Sequence, residues 1–159
     1  VDTAGHVWDG PAAWSSGTGA GVRADADGLR LGTPAGVSDG VEYGTWTSPE
    51  HAPGFAVHEI VTSWNAHTPP GTWLTVEARV RTGSGSVSRW YTLARWAHGD
   101  GDIARTSVPG QRDDHARVEV DRLIAAPGTR VRSAWSRVRL ARTAGTEATP
   151  TVTSLWTVA

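Results

Sequence analysis

The chain has no cysteine, no methionine and no lysine, and it carries a single Phe and two Tyr. Without cysteine there is no disulfide, no thiolate metal site and no cysteine nucleophile within these residues, so stability must come from packing. Without lysine there is no side-chain amine for a Schiff base. All fifteen basic residues are Arg, whose planar forks suit carboxylates and stack on indole faces. No apolar run approaches the roughly 18 residues that a membrane-spanning helix needs, so membrane insertion is not expected. A formal net charge of −1 supplies no bulk field for nucleic acid, which is not expected as a partner either.

What is present is tryptophan. Nine Trp stand among 19 Gly and 9 Pro in a chain of 159 residues, enough for one domain that buries about 70% of its unfolded surface. The rhythm of short apolar-rich stretches firms up in residues 41–46, 55–64, 73–81, 88–97, 116–125, 130–142 and 151–158. Each run is bounded by Pro, Gly, Ser or Asp and reads as a strand. Residues 1–40 read as short strands joined by loops, such as 28–31, and form a loop-rich part packed on the remainder. Gly83-Ser84-Gly85 closes a hairpin, and Thr68-Pro69-Pro70-Gly71-Thr72 is a rigid turn. With hardly a helical period anywhere, the spacing predicts an all-β fold: one antiparallel β-sandwich domain of jelly-roll type over residues 1–159.

The alternation also nominates a binding surface. In residues 73–81, Leu74, Val76, Ala78 and Val80 share one face, while Trp73, Thr75, Glu77, Arg79 and Arg81 share the other. In residues 130–142, Ala134, Val138 and Leu140 oppose Trp135, Arg137 and Arg139. Two strands thus offer Trp and Arg on their outer faces. Side by side they would make a platform for stacking on sugar rings, with Trp73, Glu77, Arg79, Trp135, Arg137 and Arg139 as the candidate ligand-binding residues. Trp90 and Trp96 sit where both faces are bulky, and at least one is expected in the core.

Several segments carry a resemblance. Thr47-Ser48-Pro49-Glu50, the stretch from Phe55 to the Ser63-Trp64-Asn65-Ala66 turn and on to Trp73, Arg89-Trp90-Tyr91-Thr92-Leu93-Ala94-Arg95-Trp96, and Ile103-Ala104-Arg105-Thr106-Ser107-Val108-Pro109-Gly110-Gln111 resemble the N-terminal β-sandwich region of secreted actinobacterial cysteine peptidases of the bacteriocin-processing type. The likeness covers roughly residues 41–158. It implies a secreted accessory domain preceding a Cys-His catalytic domain. No catalytic residue of that family can be placed here, because no cysteine exists to receive the role.

Other chemistries are less well marked. Asp100 and Asp102, spaced by glycine, are candidate calcium ligands with Asp113 and Asp114 nearby, although a Gly/Asp turn needs only backbone reasons for its composition. No other cofactor is expected. The six His show no zinc spacing, and Gly83-Ser84-Gly85-Ser86 is not a serine-hydrolase elbow. A polysaccharide lyase using Arg79 and Arg139 against a uronate, with Tyr91 or His58 as base, is the enzyme alternative; a glycosidase or a purely structural domain of a peptidase are others. The reading that results is a non-catalytic extracellular module. Its expected partners are a polysaccharide or cell-wall surface and a C-terminal catalytic domain of the same protein. The start at Val1 rather than Met predicts that a leader was removed or that the parent chain is longer.

Overall fold

The structure, a computed structural model, describes residues 2–99, 101, 103 and 105–159. The chain runs through β1 (Gly5–Asp9), α1 (Gly10–Ser16), β2 (Thr18–Ala20), β3 (Val22–Asp25), β4 (Gly28–Leu31), β5 (Gly36–Ser38) and β6 (Val41–Thr47). It continues through β7 (Glu59–His67), β8 (Thr72–Thr82), β9 (Tyr91–Trp96), β10 (Ala116–Glu119), β11 (Arg122–Ala125), β12 (Val131–Thr143) and β13 (Thr151–Val158). Among the described residues these strands form two antiparallel sheets. The first is seven-stranded, in the order β10-β11-β7-β13-β4-β3 with β1 also on β13; the second is six-stranded, in the order β2-β6-β12-β8-β9 with β5 also on β6. The all-β sandwich expected from the alternating pattern is what the chain forms. Among the described residues, no helix is long and apolar enough to cross a membrane.

Alternation positions the core. Leu74, Val76, Ala78 and Val80 of β8 are all buried, as are Val138 and Leu140 of β12, while the intervening residues face outward. Burying an aliphatic side chain of this size contributes about 1.5–3 kcal/mol, so the two longest strands tie the sandwich together. Trp8, Trp14 and Trp46 fill one end of the core, with the Trp14 and Trp46 rings edge to face at 5.0 Å. Trp46 Nε1 donates to the Trp14 carbonyl at 2.9 Å. Trp96 and Trp64 pack against the same cluster, which places Trp96 at the core and leaves Trp90 for the surface.

Some local expectations are corrected. Residues 116–125 are two strands and not one: β10 and β11 pair as a hairpin around Val120 and Asp121. Residues 63–66 are no turn but the middle of β7, which pairs along its length with β13. The strand expected to start at residue 55 starts at Glu59; before it, Val57 makes only an isolated bridge to Val131. Residues 5–38 supply β1 and β3–β4 to the first sheet, β2 and β5 to the second, and α1, which carries buried Trp14. A seven-residue helix is too short for its period to register in a sequence.

Candidate functional site

β8 and β12 are direct antiparallel neighbours, and their register decides what meets on the outer face of the second sheet. Trp135 lies opposite Arg79, Arg137 opposite Glu77, Arg139 opposite Thr75, and Ala141 opposite Trp73. All six residues expected to form a platform therefore share one solvated face. Arg137 Nε donates to Glu77 Oε2 at 2.5 Å, an ion pair at the centre of the face. Trp90, from the segment before β9, joins them. The Arg79 guanidinium carbon lies 4.7 Å from the Trp90 ring centre and 4.6 Å from that of Trp135, so this cation sits between two indoles. Arg137 covers Trp90 at 4.2 Å, and Arg81 approaches Trp135 at 5.2 Å. The rows further along carry Arg139, stacked at 3.9 Å on Tyr43 of β6.

The arrangement sorts the indoles. Trp90 and Trp135 already carry guanidinium groups, and each such contact is worth about 0.5–1 kcal/mol at a partly exposed site. A sugar ring stacking there gains about 0.5–1.5 kcal/mol and displaces a contact of similar worth, so little net affinity results. Trp73, by contrast, has no cation stacked on it among the described residues, which makes it the best stacking surface of the three. Tyr91 is buried and Trp90 before it faces outward, whereas Trp96, of the same parity, packs on the core because the β8–β9 register shifts between Val76 and Glu77; period two in the sequence could not separate the two indoles.

Glu50 anchors the far end of this face. Its carboxylate accepts from Arg81 Nε at 2.6 Å and from Ser133 Oγ at 2.5 Å, and these two hydrogen bonds, Arg81's first, hold its pKa below the ordinary value. Beside it opens a cleft of about 640 Å³ lined by Glu50, Phe55, Val131, Ser133, Arg130 and Arg132 among others. The adjoining hollow of about 430 Å³ shares Gly83 and Arg130 with it and contains His115 and Asp114. The one carboxylate of the larger cleft is already engaged by Arg81 and Ser133, and His51, hydrogen-bonded through its backbone to Ala134, lines a neighbouring hollow together with Ser133.

The lyase alternative does not assemble. Tyr91 is fully buried, and its hydroxyl donates to Asp113 Oδ1 at 2.5 Å. Burial first, and then that carboxylate, push the phenol well above its ordinary pKa, so it cannot act as a base near neutrality. Burial works to raise Asp113 as well, yet donation from Tyr91 and from the His115 and Ala116 amides leaves it below the ordinary value. His58 precedes β7 in the first sheet, whereas Arg79 and Arg139 lie on the outer face of the second. Asp100 and Asp102 lie outside the described residues; among the described ones no group of three or more His, Asp or Glu side chains is placed to hold a metal.

Residues 4–159 match the family model described as peptidase C39 N-terminal domain. No curated protein and no solved structure matches the chain.

Proposed function

We propose, from the premise that this chain belongs to the peptidase C39 N-terminal domain family, that it is a non-catalytic, extracellular recognition module accessory to a cysteine peptidase. Its ligand is carbohydrate of a cell wall or other polysaccharide surface, and its binding face is the outer side of β8 and β12. The nucleophile of a cysteine peptidase has no counterpart in these residues, since the sequence holds no cysteine. The observation that carries the reading is the register, which puts Trp73 near Arg139 at one end of a single solvated face and Trp135 and Trp90 with Glu77, Arg79 and Arg137 at the other, about 20 Å along β8. Rings to stack on, flanked by charged groups that fix orientation, are what pyranose recognition requires. We also read the fold as a jelly roll. What supports this is that β4-β13-β7-β11 and β6-β12-β8-β9 are the central runs of the two sheets, with the chain crossing between them at most connections.

The test is co-sedimentation with insoluble cell-wall and plant polysaccharides, followed by titration of variants against whichever binds. Trp73→Ala is expected to weaken binding by about 1–2 kcal/mol, the scale of a lost stacking residue. Trp135→Ala should weaken it less, because guanidinium groups already occupy that ring. Both variants should keep the wild-type melting temperature to within a few degrees. A wild-type protein that binds no polysaccharide would remove the ligand class.

A further inference from the structure

The arginines of the binding face divide into two kinds. Arg81 is paired with Glu50 and Arg137 with Glu77. Arg79 and Arg139 make no ion pair among the described residues; their contacts are with aromatic rings, Trp90 and Trp135 for Arg79 and Tyr43 for Arg139. The buried Arg79 Nε also has no hydrogen-bond partner. The guanidinium carbon lies over a ring face in each, 4.6 and 4.7 Å from the Trp135 and Trp90 centres for Arg79 and 3.9 Å from that of Tyr43 for Arg139, and no carboxylate among the described residues takes up the planar fork of N–H donors. Such a group is held ready for a planar acceptor approaching edge-on. A carboxylate fits that geometry with two parallel hydrogen bonds.

Trp73 is the neighbour that identifies the rest of the ligand. Arg139 stands opposite Thr75, and Trp73 is two residues along β8 from Thr75, on the same face. This is the diagonal relation, about 7–8 Å between backbones, that long side chains bridge. An indole with no cation stacked on it therefore lies beside a guanidinium with no carboxylate. A ligand satisfying both has a pyranose C–H face for the indole and a carboxylate at the ring edge for the guanidinium. We propose that Trp73, Arg139 and Tyr43 form a subsite for a uronic-acid residue, so that the polymer recognised is an acidic polysaccharide. A phosphate-bearing polymer without sugar rings would answer the charge and leave Trp73 unused. Arg79, four residues from Thr75 along β8 and so roughly 14 Å from the Arg139 row, supplies a second cation for an acidic residue further along the same chain. The arrangement rests on the proposed reading of this face as a glycan site.

Calorimetric titration with an oligogalacturonate, a neutral cello-oligosaccharide of equal length and a linear polyphosphate tests the proposal. The uronate oligomer is expected to bind at least about tenfold more tightly than either of the others, with affinity falling as salt rises. Arg139→Gln should cost roughly ten- to hundredfold toward the uronate oligomer, the range for a lost charge-assisted hydrogen bond, and a smaller factor toward the neutral one. Arg139→Lys keeps the charge but not the fork and should recover only part of the loss. Melting curves show that each variant is folded, and Trp73→Phe replaces Trp73→Ala should the latter unfold. Neutral and uronate oligomers binding alike, or Arg139→Gln weakening both equally, would overturn the acidic-sugar subsite while leaving the glycan reading intact. Polyphosphate binding as tightly as uronate would overturn it in favour of plain charge attraction, and failure of every sugar to bind would overturn both.

Discussion

His51 and His6 show how one pair of side chains ties a strand of each sheet's neighbourhood to solution pH. Their ring centres lie 4.6 Å apart, and His51 also exchanges backbone hydrogen bonds with Ala134 of β12. Partial burial first, and then the proximity of His6, lower the His51 pKa below its ordinary 6.5. A folded-state pKa depressed below the unfolded value means that the unfolded chain binds the proton more readily. The stability held by neutral His51 is therefore complete above pH 6.5 and is lost as pH falls through the lower folded value. Thermal melts between about pH 8 and pH 5 should show this decline, and His51→Gln should flatten it. Glu50 acts in a separate, more acidic window, since its depressed pKa withholds stability only as pH falls below 4.5. At this scale the sequence was informative about which side chains point outward and silent about which of them touch. Period two places Trp135 and Arg79 on outer faces, but the stacking of Arg79 between Trp90 and Trp135 depends on a strand register and on rotamers. The Tyr91–Asp113 hydrogen bond spans 22 residues of chain and has no local signature.

Turns decided which elements could be read. The β8 hairpin was legible because Gly83, Ser84 and Gly85 are turn residues, and the Gly85 amide donates to the Thr82 carbonyl at 3.0 Å. The β10–β11 hairpin was not, because its two-residue loop is Val120-Asp121, with no glycine or asparagine. Val120 there adopts φ 55°, a left-handed backbone that a β-branched residue enters only under strain. A two-residue hairpin with positive φ at its first position ordinarily takes glycine there. Val120→Gly is accordingly expected to stabilise the protein by about 1 kcal/mol, read as a rise in the urea midpoint without change in slope. Val120 is 70% exposed, so little packing is lost in the exchange. The opposite case is Gly44 on β6, where an added Cβ would lie 2.5 Å from the Gly21 carbonyl oxygen, so alanine there should be strongly destabilising.

For the whole molecule, the two-sheet architecture followed from strand count and alternation, whereas the order of strands in each sheet did not, because pairing partners lie as far apart along the chain as Gly5 and Val158. Far-ultraviolet circular dichroism should report well under about 20% helix, since α1 is the one helix among the described residues. That order also brings the two ends together. β1 lies antiparallel on β13, Gly5 faces Val158, and Ala4 and Ala159 exchange backbone hydrogen bonds of 3.0 and 2.8 Å. Because ladder hydrogen bonds run across the strands, the direction of a mechanical load decides how they share it. Tension applied between residues 4 and 159 peels β1 from β13 and breaks the bonds one after another. Tension applied between residue 4 and Thr151, at the opposite end of β13, slides the strands past each other and strains every bond of the pair at once. The same five-residue seam is thus weak when pulled open and strong when pulled lengthwise.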